Sequence, residues 1–282
     1  MIEVKNLCYT YNNGTCFKVL ANDHINFKID DGDIVGIVGE TGSGKSTLLK
    51  QLAEILKPSS GKILIDGHEI NDLKNKFSIG MVFQYPEHQL FANTVYEDIA
   101  FGPKNLGLEV DSINQIVNDA INFVGLEDTI LKKSPFELSG GEKRRVAIAG
   151  VIAMKPKILI LDEPTVGLDL KSRRQIISQL KKYHIEKKVT ILMTSHNMND
   201  ISELCNKALV LKDGKLKKFC NTFELFFNTE NLKDYGLNLP PIIELAKELR
   251  LRGHNISTNV KNVDDLLNEV LKLFGGNKKD VI

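Results

Sequence analysis

The stretch DIVGIVGETGSGKST, residues 33–47, constrains this chain more than any other. An apolar run over 33–39 enters a glycine loop that fits G-x-x-x-x-G-K-[ST]. The chain leaves that loop on an amphipathic segment, STLLKQLAEIL, which reads as a helix stopped by Pro58. Strand, loop and helix in that order are what a phosphate loop requires. A chance glycine turn carrying a lysine would lack the flanking elements. Gly39, Gly42 and Gly44 let the backbone wrap a phosphate chain with its N–H groups inward, and Glu40, Thr41 and Ser43 complete the loop. Lys45 is placed to reach the β- and γ-phosphates, the Ser46 hydroxyl to ligate Mg²⁺, and Thr47 to touch the α-phosphate.

Three other segments carry chemistry that suits such a loop. ILILDE, residues 158–163, delivers two carboxylates at the end of a buried strand. Asp162 is then expected near the metal, through water because Mg²⁺ dehydrates reluctantly. Glu163 is expected to orient or deprotonate an attacking water. Taken singly, acids at a strand end can equally cap the next helix. The strand VTILMT ends in Ser195-His196, where a histidine can sense the γ-phosphate; alone it reads as a surface residue. Gln84 closes the strand SIGMVFQ and can contact Mg²⁺ and the water.

LSGGE, residues 138–142, begins a helix with small, donor-rich residues: Leu138, Ser139, Gly140, Gly141 and Glu142. Helix-initial N–H groups and a glycine pair can close on a phosphate. With no lysine and no metal ligand, this segment can touch only the exposed γ-phosphate of a nucleotide bound elsewhere. A chain with one phosphate loop therefore predicts a dimer whose subunits complete each other's sites.

The remaining chain is ordinary in bulk. It has 282 residues, 42% of them hydrophobic and 26% charged, and a net charge of +1. No global field argues for nucleic acid or an anionic membrane. Cys8, Cys16, Cys205 and Cys220 form no C-x-x-C pair and no zinc spacing, which predicts thiols in a reducing cytosol. The opening MIEVKNLCYTY has no basic-then-apolar leader, so no signal peptide is expected. The longest apolar run, VAIAGVIAM, is too short to span a bilayer. The first 30 residues read as short strands, with Ile25, Phe27 and Ile29 alternating inward. Residues 86–154 turn helical and loop-rich, and KALVLKDGKLKKF reads as a hairpin turning at Asp213-Gly214. Alternating apolar strands and helices predict a parallel sheet covered on both faces. The tail places Ile242, Leu245, Ala246 and Leu249 on one helical face. Val263, Leu266, Leu267, Val270, Leu271 and Phe274 lie on another, with Asn262 as N-cap and Gly275 as stop.

In these motifs and their order, over about the first 220 residues, the chain resembles the ATP-binding cassette (ABC) ATPases. The motifs run from the phosphate loop through Gln84, the LSGGE signature, Asp162, Glu163 and the loop Gly167-Leu168-Asp169 to His196. The resemblance implies an α/β P-loop NTPase fold with a parallel core sheet. It adds an N-terminal antiparallel β subdomain, a helical signature subdomain over about 86–155, and a small helical appendage over 221–282. It implies ATP hydrolysis with Mg²⁺, and makes Tyr11 the adenine-stacking aromatic and Asp169 the D-loop acid. One departure stands out: the family signature usually ends in Gln, where this chain has Glu142.

FQYPEHQLF, EDIAFGPKNLG and LPPIIELAKELRLRG resemble the energy-coupling factor (ECF) transporter ATPases, the cobalt- and vitamin-importer branch. RRVAIAGVIAM looks most like the second of its two A-type subunits. That resemblance implies a sister ABC ATPase as partner, favouring a heterodimer while leaving a homodimer open, on a membrane T subunit with a substrate-binding S subunit. It implies a peripheral location on the cytoplasmic face of the cell membrane, and makes Glu87 the acid that pairs with an arginine of the T subunit's coupling helices. The tail helices resemble that branch's second dimer contact. The rivals are the ATPase of another importer or exporter, and a soluble ABC protein of DNA repair or translation. The latter would bring a second cassette, a long coiled coil or a zinc hook. A GTPase would need N-K-x-D beside the sheet, whereas the letters NKKD fall at 277–280, past it.

Overall fold

The computed structural model describes residues 1–70, 79–229 and 231–273. Ser78, Phe274, Gly275 and the NKKD letters lie outside them. Two long strands open the chain: β1 (Ile2–Tyr11) and β2 (Val19–Ile29), which pair antiparallel. They are not the short strands expected. Three register shifts break the pairing, and Asn6 and His24 take left-handed backbone there, which disguises two continuous strands as several. β3 (Ile34–Val38) follows, then α1 (Lys45–Leu52), β4 (Ser60–Ile65) and the two-residue β5 (His68–Glu69). β2, β1, β4 and β5 form a four-stranded antiparallel sheet.

α1 ends well before Pro58. Glu54 adopts a left-handed φ of 58°, its N–H bonds Gln51 O, and the Ile55 N–H reaches back to Lys50 O at 2.9 Å. That is a Schellman ending, closed without the glycine that usually signals it.

The second sheet has the order β10-β9-β3-β8-β7-β6. Its strands are β6 (Ile79–Val82), β7 (Ile158–Leu161), β8 (Thr190–Thr194), β9 (Lys207–Lys212) and β10 (Lys215–Asn221), around β3. All neighbours are parallel except the edge hairpin β9–β10, which turns at Asp213 and Gly214, both at positive φ. β3, β7 and β8 are buried along their whole length, as unbroken apolar runs predict for strands covered on both faces.

Alternate residues serve the two faces. Val35, Ile37, Ile158, Ile160 and Leu192 pack with α1 and the inner face of the antiparallel sheet, where Ile25, Phe27 and Ile29 point inward as expected. Val38, Leu159, Leu161, Ile191 and Met193 pack on the opposite side against a helical insertion: α2 (Val95–Asn105), α3 (Val110–Phe123) and α4 (Gly140–Ala153). α5 (Leu170–Lys187) and α6 (Met198–Leu204) complete that layer.

Beyond β10 the chain is helical, with α7 (Pro241–Leu251) and α8 (Val263–Leu273). Ala246, Ile256, Val260 and Leu266 make a satellite core with Ile242, Leu249 and Val270. Ile242, Ala246 and Leu249 line this core as expected, but Leu245 is exposed and Ile243 is buried in the main core. α7 packs on two clusters at once, so its buried stripe is not a single four-residue ladder. On α8, Leu266 is buried while Val263 and Leu267 are exposed. The Asn262 side chain accepts the Asp265 N–H at 2.9 Å, capping α8 as its sequence implied.

Candidate active site

The phosphate loop lies between β3 and α1, held open by two glycines that no other residue could replace. At Gly39, φ is 145° and a Cβ would fall 2.1 Å from Leu211 O; at Gly44, φ is 97° and a Cβ would fall 2.3 Å from Ala21 O. Asn22 of β2 ties the loop down, donating to Gly44 O at 3.2 Å while accepting from Gln51 at 2.6 Å. Glu40 extends outward, its side chain running beside Gly236. Thr41 is exposed at the loop tip and Ser43 buried beneath it.

Lys45 is 7% exposed, and its ammonium donates to Gly39 O and Glu40 O, both at 2.8 Å. Burial pushes its pKa down, against the upward pull of Glu163 and Asp162. The Ser46 hydroxyl donates to Asp162 Oδ1 at 3.2 Å, so the first turn of α1 and the end of β7 meet. The Thr47 hydroxyl lies 3.2 Å from the Tyr11 hydroxyl, which sets that ring, edge-on to Tyr9, beside the loop.

Glu163 follows Asp162 with a left-handed φ of 52°. Its Oε2 accepts the His196 N–H at 3.3 Å. Its Oε1 is buried without a hydrogen bond, 3.4 Å from His196 Nε2. Burial raises its pKa above the ordinary carboxylate value, opposed by His196 and Lys45. A carboxylate with one buried, unpaired oxygen beside a half-exposed imidazole is built to accept a proton from a small polar guest. Asp162 and Ser46 offer hard oxygen donors, which fit a divalent cation of the Mg²⁺ type. Gln84 is exposed two residues past β6.

Ser139 caps α4, whose first residues are Gly140 and Gly141. Its hydroxyl accepts the Glu142 N–H at 3.3 Å, and Glu142 Oε2 accepts from the Ser139 N–H at 2.9 Å and the Ser139 hydroxyl at 2.7 Å. These bonds hold the Glu142 carboxyl below its ordinary pKa. Leu138 is buried under this capping box. Asp169 caps α5 in turn, accepting from Lys171 N at 2.8 Å and Ser172 N at 3.0 Å.

Sequence reasoning missed Thr194, the last residue of β8. Its buried hydroxyl donates to Asp162 Oδ1 at 2.7 Å and accepts the Glu163 N–H at 2.9 Å, setting both acids. Its position just before Ser195-His196 was the available signal. Asp200 was missed too: wholly buried, it takes hydrogen bonds from Thr165, Ser195 and Arg173 behind the site. Glu87, placed on a partner's arginine by resemblance, is here bound by Arg144 of its own chain. Zinc spacing is absent from the sequence, yet the fold brings ligand atoms of Cys8, Asp23 and His24 within 4.8 Å of one another. Asp23 is already engaged there by His24 and Lys215.

A cleft of about 490 Å³ opens between Gly39, Ser195 and His196 on one side and Gly236–Pro241 of the tail on the other. A larger hollow of about 760 Å³, between α3, α4 and α5, holds none of these groups. No helix among the described residues is long and apolar enough to cross a membrane.

A phosphate loop on α1, paired acids ending the adjoining parallel strand, and a capped glycine helix start on a helical insertion define an ATP-binding cassette. The comparisons agree. The ABC transporter family profile matches residues 22–166. An energy-coupling factor transporter ATP-binding protein EcfA2 from Caldanaerobacter subterraneus subsp. tengcongensis is 47% identical over 98% of this chain and 99% of its own. The protein of the same description from Clostridioides difficile is 47% identical over 98% of each chain. Among solved structures, cbiO1 from Clostridium perfringens, described as part of the ABC transporter complex cbiONQ, superposes with a TM-score of 0.73. It is 38% identical and is matched over 87% of this chain and 98% of its own. A dimeric cassette, MJ0796, bound to ADP and Pi superposes with a TM-score of 0.71 at 30% identity, over 79% of this chain and 99% of its own. The chain belongs to the ABC transporter family of ATPases, among its energy-coupling factor ATP-binding proteins.

Proposed function

We propose that this chain is the ATP-hydrolysing subunit of an ECF-type importer that takes up a vitamin or a transition-metal ion. Residues 1–220 form the cassette and 221–282 an appendage that adds a second dimer contact. The carrying observation is the split of phosphate-binding chemistry. Lys45, Ser46, Asp162 and Glu163 gather at one place. The Ser139 helix start, with neither lysine nor metal ligand, sits on a separate helical insertion. Each half needs the other from a second cassette, a sister subunit in a heterodimer.

In this reading the loop amides and Lys45 bind the phosphates, with Tyr11 against the adenine. Ser46 and Gln84, with Asp162 through water, would hold Mg²⁺, which would supply charge neutralisation on the phosphate oxygens. Glu163 and His196 hold the attacking water. Its oxygen bonds the γ-phosphorus, the bond from that phosphorus to the bridging oxygen of ADP breaks, and the water's proton passes to Glu163. The signature residues 138–142 of this chain face the γ-phosphate bound by the partner, the partner's signature faces the one bound here, and Asp169 lies at the start of α5 near the joint.

Tyr85 and Phe91 flank the turn behind Gln84 and are exposed, as is Phe101 of α2, which packs edge to face with Phe91. An exposed aromatic patch of this kind favours a docking surface, here for the membrane T subunit. The S subunit then binds the substrate, and the ATPase works from the cytoplasmic face as a peripheral protein.

The test is to tag the full-length chain, solubilise membranes in detergent and identify what co-purifies. A second cassette with a T subunit and a small substrate-binding membrane protein is expected. Recovery of a periplasmic-type binding protein instead, or of DNA- or ribosome-bound complexes, overturns the ECF reading.

A further inference from the structure

Arg144 lies on α4 just past the signature and is only 3% exposed. Arginine is almost never buried unless its guanidinium is fully paired, and here the pairing reaches two other segments. Nε donates to Glu87 Oε2 at 3.4 Å, and Nη2 reaches both Glu87 oxygens at 3.3 Å. Nη1 donates to the carbonyls of Pro164, at 3.4 Å, and Val166. Glu87 belongs to the 3-10 turn Pro86–Gln89, directly behind Gln84. Pro164 and Val166 form the turn between Glu163 and Asp169. One guanidinium thus joins the signature helix, the turn behind Gln84 and the loop that carries the base. Only a planar fork with five donors serves a carboxylate on one edge and two carbonyls on the other; an ammonium does not.

We propose that Arg144 is a positioning residue for ATP turnover, clamping the loop after Glu163 and the turn at Glu87 to the signature helix so that the three move as one body. This rests on the ATPase reading above. It extends that reading to a residue that touches no nucleotide. Because α4 begins at the half-site offered to the partner while Pro164 and Val166 belong to this chain's own site, the clamp serves both sites of a pair. The Glu87 carboxylate is its anchor, so displacement of the turn behind Gln84 reaches the catalytic loop through a single side chain.

The experiment compares Arg144→Ala, Arg144→Lys, Glu87→Gln and the double variant Arg144→Ala/Glu87→Gln, each as full-length chain and as the assembled complex. ATP binding by the full-length chain reads the phosphate loop, which Arg144 does not contact. Its dissociation constant is expected within about twofold of wild type, while complex turnover falls about tenfold or more, as small misplacements at a catalytic centre do. Arg144→Lys is expected to restore little, and the double variant to be no worse than Arg144→Ala, because one clamp is removed either way.

Wild-type turnover in Arg144→Ala overturns the proposal. So do effects of the two single changes that simply multiply, or loss of ATP binding in proportion to turnover. If Arg144→Ala does not fold, Arg144→Lys and Glu87→Gln carry the same comparison, and wild-type turnover in both overturns it. A wild-type chain that neither binds nor hydrolyses ATP defeats the ATPase reading itself. Normal wild-type activity with unaffected variants defeats the clamp alone.

Discussion

Thr194→Val tests the geometry of the two acids with the least disturbance to shape. Valine keeps the branched outline and the strand preference of threonine and removes only the hydroxyl. That hydroxyl is fully buried, 2.7 Å from Asp162 Oδ1 and 2.9 Å from the Glu163 amide. The bond to the charged acceptor is worth about 1.5–3 kcal/mol, and leaving the amide unpaired costs about 1–3 kcal/mol. The added methyl offsets about 0.8 kcal/mol. The net loss is about 2–5 kcal/mol, which lowers Tm by roughly 4–20 °C for a chain of this size. Asp162 keeps its bond from Ser46, so the fold persists, but the Asp162 carboxylate and the Glu163 backbone each lose one anchor. Turnover is expected to fall by about 10- to 100-fold, with ATP affinity little changed because Lys45 and the loop amides stay in place. Thermal unfolding, ATP titration and steady-state phosphate release measure the three effects. Thr194→Ser, which restores the hydroxyl, should recover most of each. A Thr194→Val protein with the stability and turnover of wild type would refute the reasoning, because the acids would then need no such support.

Lys45→Ala should abolish the thermal stabilisation that ATP gives; at a ligand concentration of about 100 times Kd that stabilisation is about 2.7 kcal/mol. A scan with and without Mg-ATP reads it, and a retained shift would move phosphate binding away from Lys45. Glu163→Gln should bind ATP normally but accumulate a closed pair on size exclusion; hydrolysis at the normal rate would remove Glu163 as the base. Lys207 bonds Asp33 at 2.7 Å at the root of β3, and Lys207→Met should cost about 1–2 kcal/mol at pH 7. Burial opposes ionisation of Asp33, yet Lys207, Asn206 and the Asp30 amide outweigh it and hold its pKa below the ordinary 3.8, while the Asp33 bond raises Lys207 above 10.5. The pair's stability is therefore present at neutral pH. It is lost as pH falls through the depressed Asp33 value, and again as pH rises through the raised Lys207 value. Urea unfolding at pH 7 and in acid checks this; a wild-type advantage that grew in acid would contradict it.

The parts of the fold that were legible are those in which neighbours along the chain fix the outcome. Gly39, Gly44 and Lys45 specify the loop through local sterics and spacing, and residues 158–161 announce a buried strand by being wholly apolar. The parts that stayed hidden depend on contacts distant in sequence. Thr194 meets Asp162, Arg144 meets Glu87 and Arg173 meets Asp200 only after the sheet and insertion have formed. The end of α1 was misplaced because Glu54, not a glycine, takes the left-handed step. The stripe on α7 was legible only in part, because Ile243 enters the main core while Ala246 turns to the satellite core, a division that periodicity cannot encode.

Glu142 joins the local and the distant readings. In place of the usual glutamine it puts a negative charge at a phosphate-binding helix start, and α4 gives that charge a place. The carboxylate lies in the first turn, where the helix dipole favours it, and takes two bonds from Ser139. A glutamine could accept the same backbone bond through its amide oxygen, so the capping box is not what the acid adds. The difference is in Ser139. Its hydroxyl proton is committed to Glu142 at 2.7 Å, and its oxygen accepts from the Glu142 amide. To donate to a phosphate the hydroxyl must turn away from a charged acceptor, and the carboxylate must tolerate a second anion nearby. The glycine amides that follow carry no such commitment. In the proposed dimer the acid then moves anion recognition at this helix start from the serine hydroxyl towards the backbone amides of Gly140 and Gly141.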